Sequence, residues 1–127
     1  MEAYTLNDPT VALVPDPEQH RWGGLAVDWT VEGRHLVVSL SGEVDAANAD
    51  ALHDAIVGAL GRDTSVRVDI GAVTFLDSSL LRALLICQAR LAVTGVDLKV
   101  RNPTAAALRI FEITDLTSLL EAPPSGN

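Results

Sequence analysis

Apolar and polar residues alternate in four stretches of the chain. Residues 25–32, 36–41, 65–70 and 96–101 each place an apolar side chain at every second position, which is the period of a β-strand. Val37 departs from the pattern, since it falls on the polar side of the second stretch. Strands buried on both faces would be apolar throughout. The alternation therefore predicts a sheet with one face buried and the other exposed to solvent.

Apolar residues spaced three and four positions apart indicate helices. One such segment covers residues 47–60 and a second covers residues 78–93, each with an apolar stripe along one side. A third is predicted to begin with Asn102 as N-cap and Pro103 at the first helical position, where proline's missing N–H is harmless. Asp115 is expected to interrupt this helix before a short final turn.

The order of elements is β-β-α-β-α-β-α. Glu32 and Gly33 are a connection short enough for an antiparallel hairpin between the first two strands. Helices separate the remaining strands, and such crossovers are right-handed, which brings the helices onto one face. The predicted fold class is α/β: a two-layer domain with helices packed on one face of a small mixed four-stranded sheet.

The ends of the chain lack a sustained period. Residues 1–24 contain several proline and glycine breaks and are expected to form a flexible acidic leader before a domain at residues 25–121. Residues 122–127 are expected to form a disordered tail. The alternative for the leader is docking on the domain through four apolar side chains: Val11, Leu13, Val14 and Trp22.

Composition narrows the classes of function. The 127 residues carry a formal charge of -8, which opposes binding to nucleic acid. With a single cysteine, Cys87, no internal disulfide can form, and the three dispersed histidines lack metal-ligand spacing. No signal sequence or apolar run of membrane-spanning length is present. We therefore expect a cytoplasmic monomer that binds neither membrane nor metal.

Motifs of enzyme chemistry are also missing from the sequence. It contains no glycine-rich phosphate loop, nucleophile elbow or His-Glu metal motif, so we expect no enzymatic activity and no cofactor. His20, His35 and His53 are expected to be solvated. Cys87 lies within the second helical segment and is expected to be a buried or half-buried thiol.

The most informative stretch joins the third strand to the second helix. Asp77 is a good N-cap, and Ser78 and Ser79 fall in the first helical turn, where local hydrogen bonding alone favours such residues. A serine there can also carry phosphate, which would face the positive end of the helix dipole. Phosphate adds about -1.5 to -2 charges, so modification could switch off binding of a partner.

Three groups of residues occur in a specific order along the chain. They are Gly42-Glu43-Val44-Asp45, Phe75-Leu76-Asp77-Ser78-Ser79, and Asn102-Pro103 followed by Arg109-Ile110-Phe111-Glu112-Ile113-Thr114-Asp115-Leu116. Together they resemble the STAS domain, in particular bacterial anti-sigma factor antagonists, over about residues 25–121. The resemblance implies a protein that binds an anti-sigma factor, usually a serine kinase of the GHKL type, and so frees a sigma factor. It also implies phosphorylation by that kinase and reversal by a phosphatase.

The resemblance assigns roles to individual residues. Ser79 corresponds to the family's phosphoacceptor, with Asp77 and Ser78 beside it, and Asp45 to a residue that recognises the partner. Asp45 could equally cap the first helix. Leu80 stands where the family usually has glycine, and Asp115 departs in the same way. Leu80 could obstruct a kinase or supply an apolar contact to a particular partner.

Two functions remain open from the sequence. The first is an antagonist switched off by phosphorylation of Ser79. The second is a STAS scaffold or accessory subunit, stressosome-like or lipid-transport-associated, in which Ser79 only caps a helix. Leu80, in place of the family's glycine, motivates the second.

Overall fold

The structure, a computed structural model, describes residues 21–58 and 65–121. Within these ranges a five-stranded sheet has the order β1-β2-β3-β4-β5. Three helices and a short 3-10 turn complete this part of the chain. The elements are β1 (Arg21–Trp22), β2 (Leu25–Glu32), β3 (His35–Val44), α1 (Ala46–Gly58), β4 (Ser65–Leu76), α2 (Ser78–Ala92), β5 (Leu98–Arg101), α3 (Ala105–Ile113) and the turn Thr117–Leu119.

The sheet is mixed, as predicted. β2 and β3 form the expected antiparallel hairpin through a turn at Gly33, whose φ is +61°. β3, β4 and β5 are parallel, with α1 and α2 as the connecting segments. The α/β class is confirmed, but the sheet has a fifth strand, because Arg21 and Trp22 pair with the start of β2 through a turn at Gly23.

The core lies between the helices and one face of the sheet. Alternate residues of β2 to β5 and the inward sides of all three helices form one apolar cluster, while Asp28 and Thr30 on the opposite face are exposed. This is the one-sided burial that the alternation predicts. The largest fully buried side chains include Phe111, Leu25, Leu36, Leu40, Leu52, Ile56, Ile70, Leu80, Leu84, Leu98 and Leu119.

The opposite face of the sheet is less exposed to solvent than predicted. Val37 is only 3% exposed and lies beside Arg67 in the register of β3 and β4. Arg67 Nε donates to Glu121 Oε2 at 2.8 Å, and Arg101 Nε donates to Glu121 Oε1 at 3.0 Å. Arg101 also contacts Glu32 at 3.3 Å. We call Arg67, Arg101, Glu32 and Glu121 the outer-face ion cluster.

The start of α3 corrects the sequence prediction. Thr104 is the N-cap, and its side chain accepts from Ala107 N at 3.1 Å, so Asn102 as N-cap and Pro103 as first helical residue are wrong. Asn102 has a left-handed φ of +57°, and its side-chain amide donates to Asp69 Oδ2 at 2.9 Å. Asparagine is favoured both at an N-cap and in the left-handed conformation, so the residue type alone did not distinguish these two roles.

The two termini and the end of α1 are described only in part. Trp22 packs against the core, as the docking alternative predicted, whereas Val11, Leu13 and Val14 lie outside the described residues, as do positions 59–60 and 122–127. No helix in the described ranges is long and apolar enough to cross a membrane.

Candidate functional site

β3 and β4 end side by side at one edge of the sheet. Val44, the last residue of β3, pairs with Leu76, the last residue of β4. Asp45 and Asp77 follow directly, and each begins a helix. Because neighbouring strands lie about 5 Å apart, Asp45 and Asp77 lie close together at this end of the sheet, which we call the rim.

Gly42 shapes the strand that leads to Asp45. Its φ is +99°, and a Cβ at this position would lie 2.2 Å from the carbonyl oxygen of Gly24. Glu43 N donates to that same oxygen at 3.0 Å. The register of β3 against β4 shifts between Gly42 and Glu43. Only glycine fits this close approach without displacing the backbone, which explains the first residue of the Gly-Glu-Val-Asp motif.

Asp45 caps α1 through a reciprocal pair of hydrogen bonds. Asn48 N donates to Asp45 Oδ1 at 3.0 Å, and Asp45 N donates to Asn48 Oδ1 at 2.9 Å. The cap interpretation of Asp45 is therefore confirmed, and recognition of a partner stays a prediction for this exposed residue. The sequence reasoning missed Asn48, although its spacing from Asp45 resembles a capping box.

Asn48 is the buried polar residue of this rim. The residue is only 4% exposed. Its Nδ2 donates to Glu43 O at 3.0 Å and to Trp22 O at 3.3 Å. Burial without partners would be costly for an amide. Asn48 therefore joins β1, the end of β3 and the first turn of α1.

Asp77 caps α2 in the predicted way. Its Oδ1 accepts from Ser79 N at 2.8 Å, and its φ of -124° and ψ of -171° are those of an extended residue before a helix. Ser78 is exposed and Ser79 is half-buried. The first helical turn thus presents two hydroxyls in different surroundings, one exposed to solvent and one half-buried.

Leu80 does not belong to this surface. It is 0% exposed and packs in the core cluster, so the expectation that it contacts or obstructs a partner is wrong. Leu80, Leu84, Cys87 and Leu91 recur at helical spacing along the buried side of α2. Leucine at this position fills the core and leaves the outer side of the turn unchanged.

An open groove of about 280 Å³ runs between α1 and α2, beginning at Ser79. Two arginines line it, although the chain as a whole is acidic. The sequence reasoning missed these arginines because only the packing of α1 on α2 brings the two helices' side chains together. The lining residues are Ala46, Asp50 and His53 from α1, and Ser79, Arg82, Ala83, Ile86 and Arg90 from α2.

His53 differs from its prediction, whereas Cys87 agrees. The His53 side chain is only 17% exposed, so the expected solvation is wrong; Nδ1 lies 2.9 Å from Asp54 Oδ1, and Nε2 is buried without a hydrogen-bond partner in residues 21–58 and 65–121. Burial raises the pKa of the Cys87 thiol to about 12, which leaves it protonated and unreactive at neutral pH. No cluster of metal-ligating side chains occurs among the described residues.

Solved structures share this fold. An anti-sigma factor antagonist from Mycobacterium paratuberculosis is 28% identical, with a TM-score of 0.64 over 80% of this chain and 87% of that one. The anti-sigma factor antagonist SpoIIAA in its unphosphorylated form is 22% identical, with a TM-score of 0.63 over 79% and 90%. The phosphorylated form of SpoIIAA, from Bacillus, is 22% identical, with a TM-score of 0.56 over 79% of this chain and 93% of that one.

A family model covers nearly all of the residues that the structure describes. No curated protein matches the chain significantly. The model described as "Mlab, STAS domain" matches residues 27–121, which include the whole rim and groove. This chain therefore belongs to the STAS domain family.

Proposed function

We propose that this chain is an anti-sigma factor antagonist that acts in the cytoplasm without enzymatic activity of its own. It binds a cognate anti-sigma factor, a serine kinase of the GHKL type, and so releases a sigma factor. The kinase phosphorylates Ser79 and ends the interaction, and a phosphatase restores it. Support comes from the family membership and from the named function of the antagonist from Mycobacterium paratuberculosis.

The observation that carries the proposal is the position of Ser79. It lies in the first turn of α2 beside the rim, in a segment whose backbone Asp77 fixes by accepting from Ser79 N at 2.8 Å. Its neighbour Ser78 is exposed, and Asp45 lies across the rim. We expect a partner to contact Asp45, Asp77, Ser78 and Ser79 together.

Phosphate at Ser79 would change the charge of this surface. It adds about -1.5 to -2 charges next to Asp77 and across from Asp45, in a chain of net charge -8. A partner fitted to the unmodified rim would have to desolvate that added charge, and a buried unpaired charge is costly. The physical expectation is loss of binding with the fold retained.

The test compares three variants of the full chain. Purified anti-sigma factor kinases from the source organism are titrated with the wild type, Ser79→Ala and Ser79→Asp by isothermal calorimetry. Ser79→Ala should bind like the wild type, and Ser79→Asp should bind about 100-fold more weakly, in line with the cost of an interfacial charge.

A modification assay with the same kinases and ATP completes the test. Mass spectrometry should find one phosphoryl group on the wild type and on Ser78→Ala, and none on Ser79→Ala. Modification of Ser78 instead, or equal binding of Ser79→Asp and the wild type, would contradict the switch.

The second candidate is a constitutive STAS accessory subunit or scaffold, stressosome-like or lipid-transport-associated. The description of the matching family model, "Mlab, STAS domain", favours it. In that case a stable complex should form with a partner that lacks kinase activity, and Ser79→Asp should leave its affinity within about threefold, as for a surface substitution outside an interface core.

A further inference from the structure

We propose that Arg82 pairs with the phosphate of phosphoserine 79 within the same chain and so controls how long the modification lasts. The inference rests on the proposed function in one respect, the choice of Ser79 as phosphoacceptor. Arg82 lies three residues after Ser79 in α2, and both side chains line the same groove. Residues three apart on a helix are neighbours on its surface.

Arg82 is available for such a pair. It is exposed, and within the described residues it has no ion-pair partner, in contrast with Arg67 and Arg101 of the outer-face ion cluster. Among the described residues that line the groove, the acidic side chain is Asp50, on the opposite helix. A guanidinium group offers a planar set of donors that matches two phosphate oxygens at once.

The Asp77 cap directs the phosphate towards Arg82. A phosphate in a first helical turn usually accepts from the unpaired backbone N–H groups. Here the N–H of Ser79 already donates to Asp77 Oδ1 at 2.8 Å, and the Asp77 carboxylate repels a second anion. The phosphate is therefore better placed on the groove side of the turn, where Arg82 supplies the opposite charge.

Two consequences follow for the modified protein. Pairing with Arg82 favours the dianionic phosphate, which lowers its second pKa. A phosphatase must displace the arginine before it reaches the ester, so the pair slows dephosphorylation. Arg82 is thus a positioning residue that sets the lifetime of the switch.

The first experiment needs no kinase. Phosphoserine is incorporated genetically at position 79 of the full chain, and the phosphate is titrated by phosphorus-31 NMR in the wild type, Arg82→Gln, Arg82→Lys and Arg90→Gln. The second phosphate pKa should rise by roughly 0.5 in Arg82→Gln, as expected on loss of a nearby opposite charge. Arg82→Lys should retain part of the shift, and Arg90→Gln, two turns beyond Arg82, should match the wild type.

A second measurement follows release of phosphate by a phosphatase of broad specificity. Arg82→Gln should release it about threefold or more faster than Arg90→Gln, the change in rate that a lost pair of modest strength gives. Titration curves and release rates that agree between Arg82→Gln and Arg90→Gln would overturn the inference. The phosphoserine is encoded genetically, so this result does not depend on a kinase that modifies Ser79. Modification by a kinase is required by the proposed function only, and the two proposals can therefore fail separately.

Discussion

The outer face of the sheet and the α1–α2 groove use arginine in opposite ways. On the outer face, the side chains of Arg67 and Arg101 are 12% and 22% exposed, and both reach Glu121. In the groove, Arg82 and Arg90 are exposed and have no ion-pair partner within the described part of the chain. Removing one member of a paired, partly buried set of charges leaves the others uncompensated and lowers stability, whereas unpaired exposed charges cost little stability and can meet a ligand.

The outer-face ion cluster attaches the segment of Leu120 and Glu121 to the sheet. Glu121 N donates to Val100 O at 2.7 Å, and Leu120 forms a parallel bridge with Val100. The cluster adds side-chain bonds to this short backbone pairing. Hydrogen bonds from Arg101, with a further contribution from Arg67, lower the pKa of Glu121 below its ordinary value.

The largest expected effect concerns α2, the helix that carries Arg82 and Arg90 of the groove. Leu80→Gly, which restores the glycine usual in the family, should lower the free energy of unfolding by about 3–5 kcal/mol, because it removes a fully buried leucine and adds a flexible residue. Urea unfolding followed by circular dichroism measures the loss. Ser79→Ala, one position away on the groove side, is the control and should stay within about 1 kcal/mol. Equal stabilities of the two variants would place Leu80 outside the core.

Removal of the shared carboxylate should have a smaller effect. Glu121→Gln weakens both arginine contacts at once and should cost about 1–2 kcal/mol, since the cluster is partly buried. Arg82→Gln should change stability by less than about 0.5 kcal/mol. Thermal unfolding of both variants checks the contrast, and an equal loss in the two would contradict the division between paired and unpaired arginines.

The smallest expected effect is a dependence on pH. The folded-state pKa of Glu121 is below its ordinary value of 4.5, so its contribution is fully present above that value and is lost as pH falls through the lower folded pKa. The stability difference between wild type and Glu121→Gln should therefore be constant near neutral pH and shrink in acid. Urea titrations at several pH values measure it, and a difference that grows in acid would contradict the assignment.

Much of the fold follows from local pattern, and the failures have identifiable causes. Alternation locates the four main strands because one face is buried. It cannot indicate β1, since Arg21 and Trp22 are too few residues for a period. It also cannot predict burial of Val37, which lies beside Arg67 on the face that carries the outer-face ion cluster.

The candidate site divides in the same way. Asp77 could be assigned as a cap from sequence because capping acts within a few residues. Arg82 and His53 could not be assigned to one groove, since only packing of α1 on α2 brings them together. Burial of Leu80 could have been predicted from the sequence, because its spacing from Leu84 and Cys87 continues the buried stripe of α2.

One amide group gives the rim a mechanical property. Asn48 Nδ2 donates to Trp22 O in β1 and to Glu43 O in β3, while its backbone and Oδ1 complete the cap with Asp45. A force that peels β1 from the sheet would remove an acceptor from this buried amide and loosen the turn that holds Asp45. A pull on β1 would therefore be transmitted through Asn48 to the rim that is expected to meet a partner.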